Sequence, residues 1–139
     1  MDRSTPILHV EDDPVDAGNL RRAFSRCGIL NPLRAVASRA DALALLRDRS
    51  AETGPRPGLI LLDLSMPDGS GLDLLRELKS DPELRAIPVI VVTASEHARD
   101  RRSAYELGAA GYVVKPIEFE RFVGAVRTLG QYWALCESP

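Results

Sequence analysis

Five short apolar runs, each followed by a segment of helical periodicity, divide the chain from end to end. Pro6 to Val10 predicts a first strand, and Pro14 opens a helix to about Cys27, with proline in the first turn where its missing N–H costs nothing. Gly28 and Asn31-Pro32 end that helix. Leu33 to Ala37 is a weaker strand with period-2 character, and Ser38 caps a helix from Arg39 to about Arg49 that gathers Ala42, Leu43 and Leu46 on one face. Leu59 to Leu62 and Val89 to Val92 show no alternation, which predicts strands covered on both faces. Between them, Gly71 to Lys79 forms a helix with Leu72, Leu75 and Leu78 inward. Ser95 is the expected cap of a helix reaching about Leu107 and closed by Gly108. Gly111 to Val114 is the last strand. From about Glu118 a final helix carries Phe119, Phe122, Val123, Val126 and Leu129 at the i, i+3, i+4, i+7 spacing.

Strand and helix thus alternate five times. Right-handed crossovers turn that order into an α/β fold with a doubly wound, five-stranded parallel sheet, for which 2-1-3-4-5 is one of two common orders. In it the first and third strands are neighbours where the winding reverses, and ligands bind there, beyond the carboxyl ends of the strands. The residues at those ends are charged or polar: Glu11, Asp12 and Asp13 after the first strand, Asp63 after the third, Thr93 on the fourth and Lys115 after the fifth.

Composition narrows the reading. A chain of 139 residues with 45% hydrophobic and 27% charged residues suits a single globular domain. Its net charge of −2 offers no general attraction to nucleic acid or anionic lipid. Cys27 and Cys136 lack metal-type spacing and are expected to be free thiols in a reducing compartment. No apolar stretch approaches the ~18 residues of a membrane span, so a soluble, cytoplasmic protein is expected.

A lone aspartate after a strand is as often a solvated loop acid as a functional one. Three converging carboxylates repel one another unless a cation or protons intervene, and a lysine beside them suggests a built site. A hard divalent cation such as Mg²⁺ suits the oxygen donors, whereas the ligands zinc prefers are absent apart from His9. A carboxylate there can act as a nucleophile and form an aspartyl phosphate. Asp63, which ends the middle strand and precedes a Gly/Pro-rich loop, is the candidate. Lys115 would bind a phosphoryl oxygen as a point charge, and the Thr93 hydroxyl could donate to another.

Val10-Glu11-Asp12-Asp13-Pro14, Leu62-Asp63-Leu64-Ser65-Met66-Pro67-Asp68-Gly69-Ser70-Gly71, Thr93-Ala94 and Gly111-Tyr112-Val113-Val114-Lys115-Pro116 together resemble the receiver domain of two-component response regulators. The resemblance runs from about Ile7 to Leu129 and implies a flavodoxin-like fold and a phosphoryl group taken from a sensor histidine kinase. It makes Asp63 the phosphoacceptor and Asp12 the direct Mg²⁺ ligand. Glu11, where the family commonly has Asp, would act through water, and Ser65 would supply a backbone carbonyl to the metal. Thr93 and Tyr112 become a switch pair, with Tyr112 turning inward once phosphate draws Thr93 toward it. Small Ala94 leaves room for the phosphoryl group, Pro116 follows a cis junction, and Asp13 falls outside the site, solvated or capping.

His9 reads as a core histidine, and His97 and Arg101-Arg102 as solvated helix positions. Residues 131–139 leave no room for an output domain, so the output is expected to be a contact of the receiver itself. Tyr132 and Trp133 lie in an unusually apolar tail. They either cover the domain's own core or extend a homodimer or partner surface. That tail and the segment from Leu78 to Pro88 are similar in texture to single-domain regulators paired with bacterial phytochrome kinases. Two other doubly wound readings fare worse. A haloacid-dehalogenase-like phosphatase would carry a second Asp where Ser65 stands and normally a cap domain. A flavodoxin-like electron carrier would not place the acidic Glu11-Asp12-Asp13 loop against a flavin phosphate.

Overall fold

The computed structural model describes residues 4–135 other than 49, 51, 67 and 69, with side chains described as far as 128. Its elements are β1 (Ile7–Val10), α1 (Pro14–Arg26), β2 (Leu33–Val36), α2 (Arg39–Arg47), β3 (Leu59–Leu62), α3 (Gly71–Ser80), β4 (Val89–Thr93), α4 (Ala98–Glu106), β5 (Gly111–Val114) and α5 (Phe119–Leu135). The five strands form one parallel sheet in the order β2-β1-β3-β4-β5, as the alternation predicts.

β1 and β3 run in register from Ile7 opposite Leu59 to Val10 opposite Leu62. Every residue of β1, β3 and β4 is buried. Because side chains alternate across a strand, each strand feeds both faces. Leu8, Val10, Ile60, Leu62, Val89 and Val91 pack with Ala42, Leu46, Leu74, Leu75, Leu78 and Ala104 of α2, α3 and α4. Ile7, Leu59, Leu61, Ile90 and Val92 pack with Leu20, Ala23, Phe24, Phe122, Val123 and Val126 of α1 and α5. Each such leucine, fully removed from water, contributes about 1.5–3 kcal/mol, so the three central strands are held where they are by both layers.

Local chemistry sets the helix starts. The Asp13 carboxylate accepts from the Val15 N–H at 2.9 Å, the Ser38 hydroxyl from Asp41 N–H at 3.1 Å, and the Ser70 hydroxyl from Leu72 N–H at 3.1 Å. These caps satisfy N–H groups that a helix leaves open. The start of α4 departs from the sequence reading. Ser95 does not cap it; the Ser95 hydroxyl donates to Asp100 Oδ2 at 2.6 Å, and the helix begins at Ala98 after His97, which makes no side-chain cap bond. Four residues of loop, Ala94 to His97, therefore stay between β4 and α4. Lys79 of α3 turns its ammonium onto the backbone carbonyls of Arg85 (3.0 Å) and Ile87 (2.9 Å), tying down the turn that leads into β4. No described helix is long and apolar enough to cross a membrane.

Candidate functional site

Strand pairing carries one residue beyond the regular strands at the carboxyl edge of the sheet. The Asp63 N–H donates to the Val10 carbonyl at 3.1 Å, and the Lys115 N–H donates to the Thr93 carbonyl at 2.8 Å. The Glu11 N–H likewise reaches the Val36 carbonyl at 2.9 Å. Backbone hydrogen bonds thus fix the points from which Glu11, Asp63 and Lys115 project. Glu11, Asp63 and Thr93 are buried, and Asp12 is exposed.

The side chains converge on one ammonium. Lys115 Nζ donates to Glu11 Oε1 at 2.5 Å, Asp16 Oδ2 at 2.7 Å and Asp63 Oδ2 at 3.0 Å. The other Asp63 oxygen accepts from the Ser65 N–H at 3.1 Å. Ligand oxygens of Glu11, Asp12 and Asp63 lie within 4.8 Å of one another. The peptide bond between Lys115 and Pro116 is cis. Gly71 closes the site from behind: a Cβ on it would stand 2.3 Å from the Asp63 carbonyl oxygen and 2.7 Å from Leu64 Cα. Only glycine permits that approach.

The electrostatics separate the two buried acids. Burial, reinforced by the neighbouring Asp63, pushes the Glu11 carboxyl up to about 7 against the pull of Lys115. Burial also acts on Asp63, but the Ser65 N–H, Lys115 and Glu11 together outweigh it and hold Asp63 below the usual carboxylate range. Glu11 is therefore the acid that carries a proton first, which leaves Asp63 ionised as a nucleophile must be. For Lys115, burial favours the neutral amine, yet its three carboxylates prevail and raise it. Three oxygen donors, one of them open to solvent at Asp12, fit a hard divalent cation that retains some of its water.

The remaining expected residues sit around this centre. Thr93 is buried at the end of β4, and its hydroxyl oxygen lies 3.4 Å from the Ser95 N–H as acceptor. Tyr112 is turned onto the β4–α4 loop, where its hydroxyl donates to the Ser95 carbonyl at 3.0 Å and its ring packs against the α2–α3–α4 core. Ala94 is exposed beside the site. Asp13 caps α1, consistent with its place outside the cluster. His9 is buried, and burial together with Lys115 lowers it to about 4, so it is a neutral core histidine. His97, Arg101 and Arg102 are exposed. Tyr132 and Trp133 fall in the last turns of α5, and their side chains, like all of Cys136, lie outside the described residues.

Asp16 is the site residue the sequence did not reveal. An acid in the first turn of a helix reads as a complement to the helix dipole, and only the rotation of α1 against β5 turns it toward Lys115.

A match to the family described as response regulator receiver domain spans residues 7–127. The response regulator Rcp1 of Synechocystis is 33% identical over 95% of this chain and 92% of its own length. Among solved structures, the bacteriophytochrome response regulator AtBRR superposes with a TM-score of 0.79 at 36% identity, covering 97% of this chain and 99% of that one. The Mn²⁺-bound form of Rcp1 gives 0.78 at 31% identity, covering 96% and 97%. Fold, sequence and the arrangement of acids around one lysine agree, and the chain belongs to the response regulator receiver domain family.

Proposed function

We propose that Asp63 receives a phosphoryl group from the phosphohistidine of a sensor histidine kinase. The observation that carries the reading is the Asp63 carboxylate at the end of the central strand, 3.0 Å from Lys115 Nζ and within the Glu11–Asp12–Asp63 cluster. An Asp63 oxygen attacks phosphorus; the O–P bond forms as the N–P bond breaks, and the electron pair leaves with the imidazole nitrogen. Glu11, Asp12, Asp63 and the Ser65 carbonyl would hold Mg²⁺, which supplies positive charge to the phosphoryl oxygens when bound. Lys115 and the Thr93 hydroxyl serve the remaining oxygens, and the β4–α4 loop carries the change to Tyr112. The kinase is proposed to be of the bacteriophytochrome type, because the chain is similar over nearly its whole length to the bacteriophytochrome response regulator AtBRR. A cytoplasmic location belongs to the same proposal.

The output is proposed to be a homodimer or partner contact on the β5 side of the sheet. β5 is an edge strand, and Val113, Val114, Pro116, Ile117 and Phe122 line an open groove beside it. Tyr132 and Trp133 are proposed to extend that surface. Sedimentation with and without beryllofluoride should show a shift in association state; a monomer in both at tens of micromolar removes this output.

Acetyl phosphate with Mg²⁺ tests the central claim. One acid-stable, base-labile phosphoryl group per chain is expected, and none in Asp63→Asn, which keeps the shape but removes the nucleophile. Sustained release of phosphate over many turnovers would favour a phosphatase instead. Labelling of the Asn variant would displace Asp63 from its role.

A further inference from the structure

Lys115 has three N–H donors, and three different carboxylates take them. Two of these acids, Glu11 and Asp63, also belong to the cluster that fits a divalent cation. Asp16 does not. It stands on the first turn of α1 with its side chain 38% exposed, and it holds Lys115 Nζ at 2.7 Å, closer than Asp63 does at 3.0 Å. A cation bound by Glu11, Asp12 and Asp63 would offset the charge of those acids and lessen their demand on the ammonium. Asp16, outside that set, would keep its full claim.

We propose that Asp16 is a positioning residue that draws the Lys115 ammonium toward α1 and competes with the phosphoryl group for it, so weakening the grip on the phosphorylated state. The inference rests on the reading of Asp63 as phosphoacceptor and Lys115 as its cationic partner. A phosphoryl oxygen bound to Lys115 must take the place of one of the three present acceptors, and Asp16 is the one of them outside the cation cluster. Asparagine at this position would still offer an oxygen to Lys115, but without the charge. Glutamate would keep the charge on a side chain one methylene longer.

Beryllofluoride binding in saturating Mg²⁺ is the direct measurement, made on the wild type, Asp16→Asn, Asp16→Glu, Lys115→Ala and the double variant Asp16→Asn/Lys115→Ala. Loss of a partly solvated ion-pair competitor should tighten binding by Asp16→Asn about three- to tenfold, with a longer-lived acyl phosphate after acetyl phosphate treatment. Asp16→Glu should stay within about twofold of the wild type. In the Lys115→Ala background the Asn substitution should change affinity by less than about twofold, because the competition runs through the ammonium. Unchanged or weaker binding by Asp16→Asn overturns the inference. So does an equal gain in the Lys115→Ala background, which would reveal a general charge effect. If the wild type itself fails to bind beryllofluoride, the phosphoacceptor reading fails first, and the two failures are thereby distinguished.

Discussion

The two ends of the same five strands are built from opposite materials. At the entry edge, prolines stand before β1, β2 and β4, and their carbonyls stitch neighbouring segments together: Pro32 accepts from Ile7 at 2.8 Å, Pro6 from Gly58 at 2.9 Å and Pro88 from Ile60 at 3.0 Å. Proline brings a fixed φ and an acceptor with no N–H of its own to satisfy. At the exit edge the strands end in buried Glu11, Asp63 and Thr93 and in Lys115. Like charges there are crowded to within 4.8 Å, at a cost in folding free energy that a bound cation can return. The entry edge is neutral and satisfied without help, whereas the exit edge is left wanting a ligand.

The largest expected effect, at the exit edge, is that of Gly71→Ala. The new Cβ would meet backbone atoms of Asp63 and Leu64 at 2.3 and 2.7 Å, with no flexible side chain to yield. A loss of about 3 kcal/mol or more is expected in urea unfolding, since backbone must shift. A loss under about 1 kcal/mol would mean that the exit edge is looser than described.

Next in size is Glu11→Gln, which should stabilise the metal-free protein. The Glu11 carboxyl rises from 4.5 to about 7 on folding, so between those values the folded chain keeps a proton that the unfolded chain has released. Stability from this group accordingly falls as pH rises through that window. Each unit is worth about 1.4 kcal/mol. Allowing for the contact to Lys115 that Gln weakens, a gain of about 1–2 kcal/mol is expected at pH 8 in chelator, shrinking toward pH 5. Excess Mg²⁺ should erase the advantage by stabilising the wild type. A variant less stable than the wild type at pH 8 would show that the acids are not in conflict.

The smallest effect belongs to the entry edge. Pro88→Ala should cost about 0.4–1 kcal/mol through the greater freedom of the unfolded chain. The cost should be the same at pH 5 and pH 8 and with or without Mg²⁺. Dependence on either would erase the distinction between the edges.

Much of the fold was legible because it rests on runs and breaks: unbroken apolar runs in Leu59–Leu62 and Val89–Val92 mark strands buried on both faces. Glu11, Asp12, Asp63, Thr93 and Lys115 could be placed together from topology alone, since each ends a strand of known position in the sheet. Asp16 could not, because its reach to Lys115 depends on how α1 is rotated over β1 and β5, an angle that periodicity does not encode to one side chain. Ser95 misled for a related reason. Its hydroxyl has a choice between a helix N–H and the Asp100 carboxylate, and the tertiary fold decides for the latter. Tyr112 is legible as an aromatic near the site, but which way it turns is settled by the Ser95 carbonyl in the loop opposite.

The triple hold on Lys115 also shapes how the protein meets reagents. The chain contains only two lysines, and the other, Lys79, is tied to the Arg85 and Ile87 carbonyls. Acylating reagents attack the free neutral amine, which the three carboxylates make scarce at Lys115. Mild acylation should therefore spare Lys115 until its acids are drawn elsewhere. Its labelling rate, read by peptide mass, becomes an internal clock for the state of the acidic cluster, with no probe attached to the protein.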